Sequence, residues 1–65
     1  MKIPEVKQYL GRQCSVTFYD KQGNEVTRNL MVQDVTFVPL YGPYLIGDVE
    51  DVCLDRVTTI HALES

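Results

Sequence analysis

Few side chains in this sequence could do chemistry. His61 is the only histidine, and Cys14 and Cys53 are the only thiols. A cysteine–histidine dyad would need the fold to carry one thiol to His61 and to add a group that holds an oxyanion. The plainer expectation is that both cysteines are reduced, buried and inert, with a single Cys14–Cys53 disulfide as the alternative. The segment DVEDVCLD brings Asp48, Glu50, Asp51 and Asp55 close together in sequence. A calcium loop wants spaced oxygens on a flexible turn with a glycine at the bend, whereas these acids alternate with Val49, Val52 and Leu54 as a strand would. Zinc wants a larger histidine and cysteine set. Paired carboxylates acting as acid and base would need an enclosed cavity, for which a chain of 65 residues has little room. No catalytic residue, metal ligand or cofactor is therefore expected, and the chain is expected not to be an enzyme.

Binding is the remaining chemistry. Residues 1–33 hold five Lys/Arg against three acids, and residues 34–65 hold Arg56 against six, giving +2 and −5 and a net charge of −3. A protein that gripped phosphates mainly by charge would usually be basic overall. The basic half still permits direct RNA or single-stranded nucleic-acid binding through Lys7, Arg12 and Arg28, with Lys2 on the same face and a tyrosine for stacking. The acidic side chains Asp48, Glu50 and Asp51 form either a solvated strand face or a charged contact surface for a basic protein partner, since complementary charge steers encounters and sets specificity. FVPLYGPYLIGD concentrates prolines, glycines and tyrosines in one apolar stretch. Pro39, Gly42 and Pro43 cannot all sit inside a central strand, so VPLYGPY is expected to be a connection. Leu40 and Tyr44 then either cover one end of the core or, with Tyr41, present an aromatic contact surface.

The elements that must position these groups can be read from the hydrophobic period. IPEVKQYLG predicts one short helix over about 3–10, with Pro4 near its start, Gly11 as its stop, and Ile3, Val6 and Leu10 on one face. From Gln13 the period is two, with Cys14, Val16 and Phe18 inward. DKQGN predicts a hairpin turn in which Gly23 takes the left-handed conformation. EVTRNLMVQDVTFVP predicts one long strand bent near Gln33–Asp34, or two strands joined there by a bulge. YLIGD, Val49–Leu54 and Thr58–Leu63 are three further strands, with LDRV a 3₁₀ turn before the last. The expected fold is mainly β: a small, strongly bent, five-stranded antiparallel barrel with one short N-terminal helix, in a single domain. Such a small domain often gains support from self-association, so a homo-oligomer is an open expectation. The N-terminal residues lack the apolar core of a signal peptide and no run suits a membrane span, which makes the cytoplasm the expected compartment.

The element order, with YLGRQCSVTFYDKQGNEV, a long bent strand and the closing VCLDRVTTI, resembles the Sm-like, SH3-like group of small barrels. VCLDRVTTI is similar to the ending of Rof-type Rho-binding antitermination proteins, and the end of WYL domains carries a similar phrase. In that ending Leu54 and Val57 are expected to plug the core while Asp55 and Arg56 sit on the turn. The resemblance implies a small regulatory protein whose acidic face occupies the basic groove of a nucleic-acid-binding protein. RNA-binding Sm proteins share an acidic residue followed by an asparagine, and an arginine–glycine pair near the end. Here Asp34 and Phe37 have no such asparagine and LDRVTT has no glycine, so a uridine pocket is not expected. The favoured function is a non-enzymatic module that binds a protein partner through Leu40, Tyr41, Tyr44, Asp48, Glu50 and Asp51. Direct nucleic-acid binding ranks second, and a small-ligand pocket third.

Overall fold

Alternation at period two and punctuation by glycine and proline produce five strands in the computed structural model, which describes residues 2–63. Helix α1 spans Ile3–Val6 and tightens into a 3₁₀ turn at Lys7–Tyr9. The strands are β1 Gln13–Tyr19, β2 Glu25–Val38, β3 Gly42–Gly47, β4 Asp51–Cys53 and β5 Val57–Ala62, with a second 3₁₀ turn at Leu54–Arg56 before β5. They form one antiparallel sheet in the order β4-β3-β2-β1-β5. The mainly β expectation holds, and the ladders leave β4 and β5 as the two ends of the strand order.

The N-terminal helix departs from its expected form for a geometric reason. A 3₁₀ turn repeats every three residues, so Ile3, Val6 and Tyr9 come into line and Leu10 is left exposed. Val6 is fully buried, and Ile3 and Tyr9 pack against the core beside it. Glu5 folds back to accept the Lys2 N–H at 3.3 Å, and Gly11 ends the segment with φ +77°.

Strand β2 is shared by two halves of the sheet. Its residues through Met31 pair with β1, and from Val32 they pair with β3. The handover falls at a bulge, where Val32 faces Gly47 and Asp34 faces the next partner, Ile46, leaving Gln33 as the extra residue. Because of that residue Val32 and Val35 can both point inward, although an odd spacing would otherwise send them to opposite faces. Strand β5 repeats the device. Thr17 faces Thr59 and Phe18 faces Val57, so Thr58 is the extra residue and Val57 and Ile60 are both buried. Thr58 fixes the kink by donating its hydroxyl to the Thr17 carbonyl at 3.2 Å.

The inward side chains of both halves meet in a single apolar core that includes Val16, Leu30, Leu45, Leu54 and Ile60. As expected, Leu54 and Val57 are buried while Asp55 and Arg56 are exposed on the turn between them. Among the described residues no polar or charged side chain is buried. Cys14 is buried in the core, Cys53 is half-buried, and both are thiols rather than halves of a disulfide. No helix among the described residues is long and apolar enough to cross a membrane.

Candidate functional site: an aromatic groove beside an exposed hairpin tip

Two hairpin turns frame the site. At the β1–β2 turn the Asp20 carboxylate accepts the backbone N–H groups of Gln22 and Asn24, each at 2.9 Å, and Gly23 takes φ +84° as its position predicts. At the β2–β3 turn the Tyr41 N–H donates to the Val38 carbonyl at 3.0 Å. Pro39 and Leu40 are the central residues of that turn, and Leu40 has φ +76°. A turn with proline second and a left-handed third residue is type II-like, and it normally places glycine or asparagine third.

The connection is shorter than expected, because Gly42 and Pro43 belong to β3. Pro43 pairs with Phe37, but the ladder between β3 and β4 begins only at Tyr44, so Pro43 lies on a flank left open where a missing N–H can be tolerated. Leu40 does not cover the core: it is 99% exposed, and Tyr41 is 69% exposed. Phe37, 62% exposed, adds to the apolar surface of this hairpin and was not expected there. Its sign in the sequence was its place two residues beyond Val35, on the same face of a strand that outruns its cover.

Between the two turns runs an open groove of about 450 Å³. Phe18, Tyr19, Leu40, Tyr41, Tyr44 and Val52 supply its apolar and aromatic lining. Asp20, Lys21, Glu50, Asp51, Cys53 and Arg56 supply the polar part. Five of the six side chains expected to meet a partner therefore line one groove. Asp48 is not among the lining residues. Its carboxylate accepts the Met31 N–H at 2.9 Å while its own N–H donates to the Met31 carbonyl at 3.2 Å, tying the β3–β4 turn to β2.

The acidic segment also differs from its expected form. β4 holds only Asp51–Cys53, so Asp48, Val49 and Glu50 lie in a turn closed by the Gly47 N–H on the Glu50 carbonyl at 3.0 Å. Val49 is consequently exposed rather than inward. Gly47 makes this tight reversal possible, because a Cβ there would stand 2.6 Å from that carbonyl oxygen. Glu50 pairs with Arg28 at 3.2 Å, with both side chains partly in solvent. Of the cations grouped for nucleic acid, Arg28 is thus engaged beside the groove, while Lys7 and Arg12 belong to the N-terminal 3₁₀ turn and the approach to β1.

The remaining reactive groups are dispersed. His61 is exposed on β5, opposite Ser15 of β1. Cys14 pairs with Ala62 one position away and points into the core, on the other face from Ser15. Among the described residues no three side chains of His, Cys, Asp or Glu converge as metal ligands. Comparison of the chain with protein-family models, with curated proteins and with solved structures found no match.

Proposed function

We propose that this chain is a non-enzymatic interaction module that binds a segment of another protein in the groove between its β1–β2 and β2–β3 turns. The observation that carries this reading is the meeting of Leu40, Tyr41, Tyr44, Glu50 and Asp51 in one groove with Tyr19 and Val52. Tyrosines offer large rigid rings with a polar tip, and an exposed apolar patch rimmed by charge is the usual form of a protein contact. The fold is read as a small barrel of the SH3-like or Sm-like kind. In support, β4 and β5 stand at opposite ends of the sheet order yet are joined by one 3₁₀ turn whose Leu54 is fully buried. The Rof-type resemblance suggests a nucleic-acid-binding partner with a basic groove, and Asp51 and Glu50 are the groove acids it would meet.

Peptides selected for binding from a displayed random library, titrated into isotope-labelled protein, test the reading. Amide shifts centred on Tyr19, Tyr41, Tyr44 and Val52 are the expected result. Selection of no binder, or shifts confined elsewhere on the surface, would overturn it. Single-stranded oligonucleotides at low salt belong in the same experiment, and shifts at Lys7 and Arg12 would favour the nucleic-acid alternative. Loss of peptide binding with salt, removed also by Asp51→Ser, would mark a basic partner.

A further inference from the structure

Leu40 occupies a position that suits leucine badly in two ways. Its left-handed backbone is one that a side chain with a Cβ rarely adopts, and its side chain is 99% exposed, so it makes almost no contact within its own chain. Glycine or asparagine would relieve the turn without removing any core contact. Strain held at an exposed apolar side chain is an observation from which a functional role can be argued. Next to this knob lies the aromatic groove, of which Leu40 itself forms part of the rim.

A knob and a recess within one patch are what a two-fold symmetric contact requires, because each copy then inserts its knob into the other's recess. The charges agree. The groove carries Asp20, Glu50 and Asp51 together with Lys21 and Arg56, and Arg28 pairs with Glu50 at its margin. A patch of one sign would repel its own copy, whereas a patch holding both signs can meet itself with acids opposite cations. The size of the domain adds a motive, since a core this small commonly gains support by association.

We infer that Leu40 is the anchor of a symmetric homodimer, each copy seating its Leu40 in the groove of the other; this rests on the reading of the groove as a protein-binding site. Sedimentation velocity from micromolar to millimolar concentration tests it on the wild type, on Leu40→Gly and Leu40→Asn, and on Tyr19→Ser within the groove. The wild type is expected to dimerise reversibly. Loss of a central anchor should weaken association at least about 30-fold in both Leu40 variants. Leu40→Gly should nonetheless melt roughly 4–8 °C higher than the wild type when both are dilute monomers, because the turn is relieved. Mixing Leu40→Gly with Tyr19→Ser should restore a weaker heterodimer, since the Leu40 of one chain still meets a groove that keeps its Tyr19.

A wild type that stays monomeric at millimolar concentration would overturn the inference, as would a dimer indifferent to Leu40→Gly. A monomer whose groove still takes selected peptides would remove self-docking and leave the protein-binding reading standing. A monomer that takes none would remove both.

Discussion

A Cβ on Gly47 would stand 2.6 Å from the Glu50 carbonyl oxygen and 3.2 Å from each terminal methyl of Leu30. The first neighbour is backbone in a hydrogen-bonded turn and the second is a fully buried side chain, so neither can withdraw cheaply. Gly47→Ala should therefore destabilise the domain by about 1–3 kcal/mol, the usual effect of overfilling a packed site. A lowered urea midpoint with an unchanged slope is the expected readout. Gly23→Ala provides the contrast, since that position has open space around it and only its positive φ to lose. Leu40 shows the opposite imbalance. The left-handed backbone costs about 1–2 kcal/mol for an L residue, and the side chain recovers none of it by burial. Such residues separate what the fold needs from what a contact surface needs.

The elements depend on two inserted residues more than on the identity of any one strand residue. Gln33 and Thr58 each let buried side chains three positions apart face the same way, and each serves a different half of the sheet. Deleting Gln33 would bring Val32 and Val35 to an even spacing, so both should stay inward while β2 loses the bulge that bends it between β1 and β3. The expected outcome is a lowered urea midpoint, because the two halves of the sheet meet through that bend, while Gln33→Thr, which keeps the count, should fold with near wild-type stability. Circular dichroism through the denaturant range separates the two. The bulge near Gln33–Asp34 was legible because Leu30–Val32 interrupts the alternation with three apolar residues in a row. The one at Thr58 was not, because TTIHAL alternates acceptably in either register and only the pairing with β1 chooses.

At the scale of the whole molecule, stability is thinly spread. A typical 0.05–0.15 kcal/mol per residue gives about 3–10 kcal/mol for a chain of this length. Leu30 is fully buried in the core, with both terminal methyls close to Gly47 at the start of the β3–β4 turn. Leu30→Ala should remove about 2–5 kcal/mol, a large share of the total, and a protein with this change should show a broadened or absent thermal transition at body temperature. Retention of a sharp wild-type melt would mean that the core can close around the gap. The Arg28–Glu50 pair ties β2 to the β3–β4 turn across the margin of the groove. Being partly solvated it contributes about 0–1 kcal/mol, so its value lies in where it holds the turn.

Local rules in the sequence determined much of the chain. Alternation marked β1, the Asp20–Asn24 turn announced itself through glycine at a left-handed position, and LDR formed the 3₁₀ turn expected between buried Leu54 and Val57. Tyr41, Tyr44, Glu50 and Asp51 could also be named as contact candidates from their types alone. Tertiary structure decided what they make together. Only the pairing of β2 with β3 placed Pro43 inside a strand, only the short β4 turned Asp48 into a tie for Met31, and only the packing of both halves left Leu40 in solvent beside Tyr19 and Val52. The physical reason is that period and turn chemistry act over a few residues, whereas a groove is made by segments that meet only when a distant strand has chosen its register.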